Sequence, residues 1–222
     1  LVEERLNLPE NNGENTRRYN KEKGEEYKQQ AIKELTDLGV TFPVEMDYYI
    51  AGANQTQLDN ATVLKNSFEN DLGADYIKLN IKTYISSLSK EVRDPRLQSF
   101  VINGWSADYN DPKNYLGQTI MGNDNAWYAK AYSNINLVEE TPATKELLEQ
   151  YRTYTDMVEK ADAISMDMDA RYEAFADAEA YMLQHVHIMP CYYNAGWCLT
   201  RYNVHAEFSG CLLYPSPSPR DA

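Results

Sequence analysis

The sequence predicts an α/β fold with a mainly parallel sheet. Segments of helical and strand period alternate through the first half of the chain. A short apolar run, SFVI at 99–102, closes that half against the turn pair Asn103-Gly104, and two amphipathic helices follow later. A helix–strand–helix–strand order requires crossover connections, and crossovers make neighbouring strands parallel.

Each element has its own signal. A helix is predicted over 25–38, where Tyr27, Ala31, Leu35 and Leu38 share a face and Gly39 stops it. A strand is predicted over 44–50, because Val44, Met46, Tyr48 and Ile50 alternate with Glu45, Asp47 and Tyr49. The second helix, 56–72, aligns Ala61, Leu64, Phe68 and Leu72 ahead of Gly73. In the second strand Ile77, Leu79 and Ile81 alternate with Lys78, Asn80 and Lys82. A short helix over 85–92 stops before Pro95, and SFVI reads as a third strand buried on both faces.

Residues 107–142 are rich in Asn, Asp, Gly and Tyr and read as long loops with one helix over 112–121. A helix over 143–160 turns Leu147, Tyr151, Tyr154 and Val158 to one face. Another over 169–187 turns Tyr172, Phe175, Met182, Leu183 and Val186 inward, with Ser165 or Asp167 as its cap. Residues 187–200, HIMPCYYNAGWCLT, read as extended after Pro190. Residues 1–23 read as an irregular lead-in. The Pro-Ser alternation within 211–222 cannot build a core element and reads as a non-native tail outside the fold.

The formal net charge of −13 repels phosphate backbones and excludes nucleic acid as a partner. No stretch approaches the roughly 18 apolar residues of a membrane span. The polar opening carries no secretory signal and no initiator Met, so the sequence is expected to begin inside a longer protein. Cys191, Cys198 and Cys211 match no zinc or redox spacing and are expected as buried free thiols, with one disulfide left open. Nothing in the sequence calls for a cofactor.

The stretch richest in chemistry is GWSADYNDP, Gly104 to Pro112, just past SFVI. Ligands of open α/β sheets bind at the carboxyl ends of strands. The stretch offers the Trp105 indole, the Ser106 hydroxyl, the Asp108 carboxylate and the Tyr109 phenol, and Gly104 permits close backbone approach. A carboxylate beside an aromatic wall can hold an ammonium group. The same composition also favours an ordinary turn.

Three other readings stay open. His185, His187 and Cys191 offer zinc-type ligands, but i,i+2 histidines diverge on a helix and no HExxH is present. Asp108 and Asp111 could form the paired carboxylates of an acidic hydrolase, though no GxSxG or Cys/His motif accompanies them. An acidic, Tyr-rich interaction module needs no cleft at all, and a solvated, mobile 104–112 loop would favour it.

GWSADYNDP resembles the GWxADYxDP pattern of the extracellular solute-binding proteins of family 5, the oligopeptide- and dipeptide-binding group. Arg171, Tyr172, Glu179, Pro190, Tyr192 and Tyr193 are similar, in order, to that family's later run. The helix ending in LTDLGV and its alternating strand are similar to the family's second lobe, so the resemblance covers roughly 20–205. It implies a periplasmic-binding-protein-like fold of class II, present as an incomplete second lobe (24–187) with a strand, 188–210, returning toward the first lobe. It implies a short peptide held between lobes and passed to the permease of an ABC importer, without covalent chemistry. The location implied is the extracellular face of the cytoplasmic membrane or the periplasm, with a lipid anchor on a missing N-terminal part. Asp108 would hold the peptide α-amino group, and the backbone of Gly104 to Ser106 would pair with the peptide main chain. The ligand-binding residues expected are Asn103, Gly104, Trp105, Ser106, Asp108, Tyr109 and Tyr193. Family ligands also include sugars and metal chelates, so the peptide reading rests mainly on Asp108. The first lobe is nearly absent here, and the segment after Gly210 does not follow the family pattern.

Overall fold

A computed structural model describes residues 1–8, 19–123 and 125–191. The elements run α1 (Val2–Arg5), α2 (Lys21–Asp37), β1 (Val44–Ala51), α3 (Gln55–Leu72) and β2 (Ile77–Tyr84). After a π-helical turn at Ser89–Arg93 come α4 (Lys113–Leu116), two further short turns, α5 (Lys145–Ala163) and α6 (Met168–Gln184). They form two compact units, one of Pro9–Asn103 and one of Leu1–Leu8 with the chain from Gly104 onward. The division falls between Asn103 and Gly104, at the head of the GWSADYNDP stretch.

In the first-named unit β1 and β2 pair in parallel, Val44 opposite Ile77, as the alternation predicts. Helix α3 makes the crossover between them, capped at its start by Asn54, whose side chain accepts from the Gln57 amide. Gly73 ends it at φ +95°, a conformation that disfavours any residue with a Cβ. The apolar face closes on Ala61, Ile77 and Leu79, all buried. The polar face carries a charge ladder, with Lys78 on Glu45 at 3.1 Å and Lys82 on Asp47 at 2.6 Å. The hydrogen bond from Lys82 is the main reason the Asp47 carboxyl titrates below its usual range. Cross-strand pairs of this kind reinforce register.

The expected third strand does not form. Val44 and Gly52 donate to Tyr76 and Tyr84 on the β2 side, so β1 amides of odd number face the opposite edge. There Asp47 donates to the Ser99 hydroxyl (2.9 Å) and Ala51 to the Gln57 side chain (2.8 Å). Ser99 returns one backbone bond to the Asp47 carbonyl, and Phe100 stacks on Tyr48 at 5.0 Å. Segment 99–102 therefore lies against β1 through a side chain and a ring rather than a ladder. The far edge of β2 is closed in the same way, because Glu69 accepts from the Leu79 amide and Lys65 donates to its carbonyl. Side chains that consume edge donors and acceptors stop a sheet from growing.

The other helix of this unit is less buried than its periodicity implies. Helix α2 has no buried residue, and Tyr27 (61%) and Leu38 (74%) stay exposed. The short helix expected over 85–92 becomes the π-helical turn, organised by one carboxylate. Glu91 accepts from the amides of Ile85, Ser86 and Ser87 and from the Ser86 hydroxyl, all at 2.8–2.9 Å. Those bonds, the Ile85 amide first, lower its pKa to about 2. A depressed carboxylate pKa adds stability that is complete above the unfolded value and fades as pH falls through the folded one. Glu91→Gln is expected to melt below the parent at pH 7, with the gap closing between pH of about 4.5 and about 2. Thermal melts across that range, followed by circular dichroism, check it.

The second unit is helical. Tyr151, Tyr154 and Val158 of α5 pack with Phe175, Ala178 and Met182 of α6, as their spacing predicts. Leu148 is buried in place of Leu147, and Tyr172 and Val186 are exposed rather than inward. Helix α6 stops at Gln184, earlier than the expected 187, and Asp167 caps its start by accepting from the Ala170 amide. The largest departure is the middle segment. Expected as long loops with one helix over 112–121, it keeps a single turn of that helix, α4, and sends Leu116, Ile120, Ala126, Ala129 and Ile135 into the same core. Its turns are too short for periodicity to register, yet they bury apolar side chains as a helix would. Cys191 is a free thiol but exposed, correcting the expected burial; Cys198 and Cys211 lie outside the described residues.

Candidate functional site

Residues 104–112 form an irregular loop fixed at three points. Ala107 is buried at 2% exposure. The Asn114 side-chain oxygen accepts from the Trp105 indole at 2.8 Å and from the Asp108 amide at 3.0 Å. Asn114 itself is 5% exposed, so the bonds form away from competing water. It sits on the one-turn helix α4, and no sequence signal singled it out.

Asp111 makes the third point. Arg171 reaches both of its carboxylate oxygens, at 3.0 and 3.1 Å, and also the Asp162 carboxylate at 2.9 Å. The same guanidinium donates to the carbonyls of Ala161, Asp162 and Ile164 at the end of α5. Lys113 completes the cluster by pairing with Asp162. Burial works to raise the Asp162 carboxyl, but the hydrogen bonds from Lys113 and Arg171 outweigh it and hold the group below its usual range. Asp111 is thus committed to the fold. That corrects the paired-carboxylate reading, in which Asp111 had to be available beside Asp108.

Asp108 differs in every respect. The residue is exposed, and among the described residues its carboxylate has no hydrogen-bond or ion-pair partner. Ser106 and Tyr109 are exposed as well, and a Cβ placed on Gly104 would meet no atom within 4 Å. The expected residues Gly104 to Tyr109 share one loop of one unit, while Asn103 closes the other unit. Tyr193 lies outside the described residues.

Trp105 continues into an aromatic cluster. Its ring meets Tyr128 edge-on at 6.4 Å, Tyr128 lies 5.8 Å from Tyr132, and Tyr132 meets Trp127 at 6.2 Å. Burial, with Tyr132 beside it, pushes the Tyr128 hydroxyl up.

The zinc-type residues do not converge. His187 stacks on Tyr151 at 3.9 Å and lies 6.1 Å from His185, ring centre to ring centre. Neither ring nitrogen of His187 has a hydrogen-bond partner among the described residues. Burial, and then the neighbouring His185, lower its pKa to about 4. No group of three or more metal-ligating side chains occurs among the described residues.

No family model matches the chain. Curated proteins do. The oligopeptide-binding protein SarA of Streptococcus gordonii is 30% identical over 183 residues, covering 78% of this chain and 26% of its own length. The oligopeptide-binding protein AliB of Streptococcus pneumoniae is 26% identical over 184 residues, covering 80% and 27%. The oligopeptide-binding protein AmiA of the same species is 23% identical over 185 residues, again covering 80% and 27%. The chain spans about a quarter of the length of these relatives. With the loop sequence and the order of the later residues, these likenesses support placing the chain among the family 5 extracellular solute-binding proteins, to whose oligopeptide-binding members it is similar over about four-fifths of its length.

Proposed function

We propose that the full-length protein captures short peptides between two lobes and delivers them to the permease of an ABC importer. This chain supplies part of one lobe, and Asp108 holds the peptide α-amino group. The observation that carries the reading is an exposed Asp108 carboxylate, without a partner among the described residues, on a loop that is otherwise pinned by Asn114 and Arg171. A mobile acidic module has no use for such anchoring. A receptor does, because a charge fixed before the ligand arrives loses less ordering entropy on binding. The names of the relatives, all oligopeptide-binding proteins, point to the same ligand class.

Peptides share a main chain and an amino terminus and differ in side chains. A receptor for many peptides therefore grips the shared groups and leaves hydrated room for the rest. The open space at Gly104 suits main-chain approach beside the Asp108 anchor. No helix among the described residues is long and apolar enough to cross a membrane. The reading places the protein on the outer face of the cytoplasmic membrane or in the periplasm, held by a lipid anchor on another part of the protein. Native mass spectrometry of the full-length protein purified from its host is expected to show co-purifying peptides with free amino termini. Recovery of only sugars or metal chelates, or of amino-blocked peptides, would overturn it.

A further inference from the structure

We propose that the end of α6 is an acid-released latch: protonation of His187 drives its ring out of an aromatic cage, and the turn at Val186 then opens. The device lies wholly in the second unit and works whatever the protein binds.

The turn is strained where a glycine would relax it. Past Gln184 the His187 amide donates to the Met182 carbonyl at 3.1 Å, and the Val186 amide to the Leu183 carbonyl at 3.3 Å. That pair of bonds ends a helix through one residue in the left-handed region, a place usually taken by glycine. Here the residue is Val186, at φ +53°. A β-branched side chain is poorly suited to that backbone. Val186 gains no burial in exchange, at 68% exposure. The turn is held instead by its neighbours. His187 and Ile188 pack against the α5–α6 core, and the chain from Met189 to Cys191 is exposed.

The packing of His187 depends on a neutral ring. It stacks on Tyr151 of α5 at 3.9 Å and meets Tyr154 edge-on at 5.5 Å and Tyr181 at 6.4 Å. Both ring nitrogens are buried, and neither has a carboxylate or any other hydrogen-bond partner among the described residues. The ionisable groups facing the ring are Tyr151 and Tyr154 from α5 and Tyr181 and His185 from α6. Burial raises both α5 phenols, and Glu179 adds to this at Tyr154, so they stay neutral. His185 donates from Nδ1 to the Tyr181 carbonyl at 2.9 Å, and its own protonation adds like charge 6.1 Å from His187. An imidazolium in this cage loses its hydration and gains no countercharge. Stacking on the Tyr151 ring offsets only part of that loss. Burial first, then His185, thus lower the caged ring to about 4, while a released ring titrates near its ordinary value of about 6.5. As pH falls through that window the released ring takes up a proton that the caged ring refuses. The latch is at full strength above the window and weakens steadily within it.

The test uses the full-length protein. Exchange of the histidine C2 proton, followed by mass spectrometry, is expected to return a pKa below about 5 for His187. Amide exchange over residues 183–190, corrected for the intrinsic rate, is expected to lose about tenfold or more of its protection between about pH 7 and about pH 4.5. His187→Phe keeps a ring that cannot titrate, so its protection is expected to change by less than about threefold. Val186→Gly relieves the turn and leaves the ring alone. It is expected to raise protection about threefold at both pH values and to keep the parent's acid response. A His187 pKa of about 6 or above overturns the latch without recourse to any variant. So does protection in the parent that does not change with pH. An equal loss in His187→Phe also overturns it, because the acid response then belongs to carboxylates elsewhere.

Discussion

If Asp108 anchors the peptide as proposed, Asp108→Asn in the full-length protein is expected to weaken peptide binding by at least about a hundredfold, equivalent to roughly 3 kcal/mol, the cost of removing one partner of a desolvated charge pair. The substitution preserves shape and removes only the charge. The fold should not register it, because the loop is held through the Asp108 amide, not its carboxylate. An unchanged melting temperature therefore accompanies the loss. The control lies on the ligand. Acetylating the peptide amino terminus removes the other half of the pair, so the parent should lose a comparable factor. The Asp108→Asn protein should then bind free and acetylated peptides alike, completing a double-mutant cycle. Titration calorimetry reads all four affinities. Equal affinity of parent and variant for the free peptide removes Asp108 from the role of anchor.

How much of this was legible in the sequence depends on the range of each signal. Strand alternation at Val44–Ala51 and Ile77–Tyr84 is local and delivered both strands, and the helix between them delivered their parallel pairing. The Asp167 cap and the inward face of Tyr151, Tyr154 and Val158 are local too. The failures are tertiary. The run SFVI has the composition of a strand, but whether it pairs depends on which groups compete for β1 amides, and the Ser99 hydroxyl takes one of them. Ala126, Ala129 and Ile135 enter the core from turns too short to show a period. In the site, GWSADYNDP was visible as a stretch rich in chemistry, but Asp108 and Asp111 look alike on paper. Their different roles follow from Arg171, 60 residues downstream of Asp111. Asn114 gave no signal, since a buried amide is recognised only by what it holds.

The Arg171 cluster yields the second large effect, this time on stability. Arg171 is 8% exposed and donates to two carboxylates and three carbonyls. Its guanidinium also lies over the Phe175 ring at 4.8 Å. Removing it strands Asp111 without a countercharge and takes a donor from the carbonyls of Ala161, Asp162 and Ile164 at the end of α5. Breaking a buried pair from one side costs roughly 3–5 kcal/mol. Arg171→Leu is therefore expected to lower the melting temperature by roughly 10 °C, at 2–4 °C per kcal/mol for a chain of this size. Both carboxylates keep some contact with solvent, 23% for Asp111 and 37% for Asp162, which places the cost toward the lower end. Arg171→Lys separates charge from geometry. An ammonium group restores the countercharge but cannot fork between two carboxylates while capping a helix end. It should recover less than half of the loss. Urea unfolding of parent, Lys and Leu forms measures the series. A Leu form within about 1 kcal/mol of the parent would mean that water already satisfies Asp111 and Asp162, and that the 104–112 loop is held by Asn114 alone.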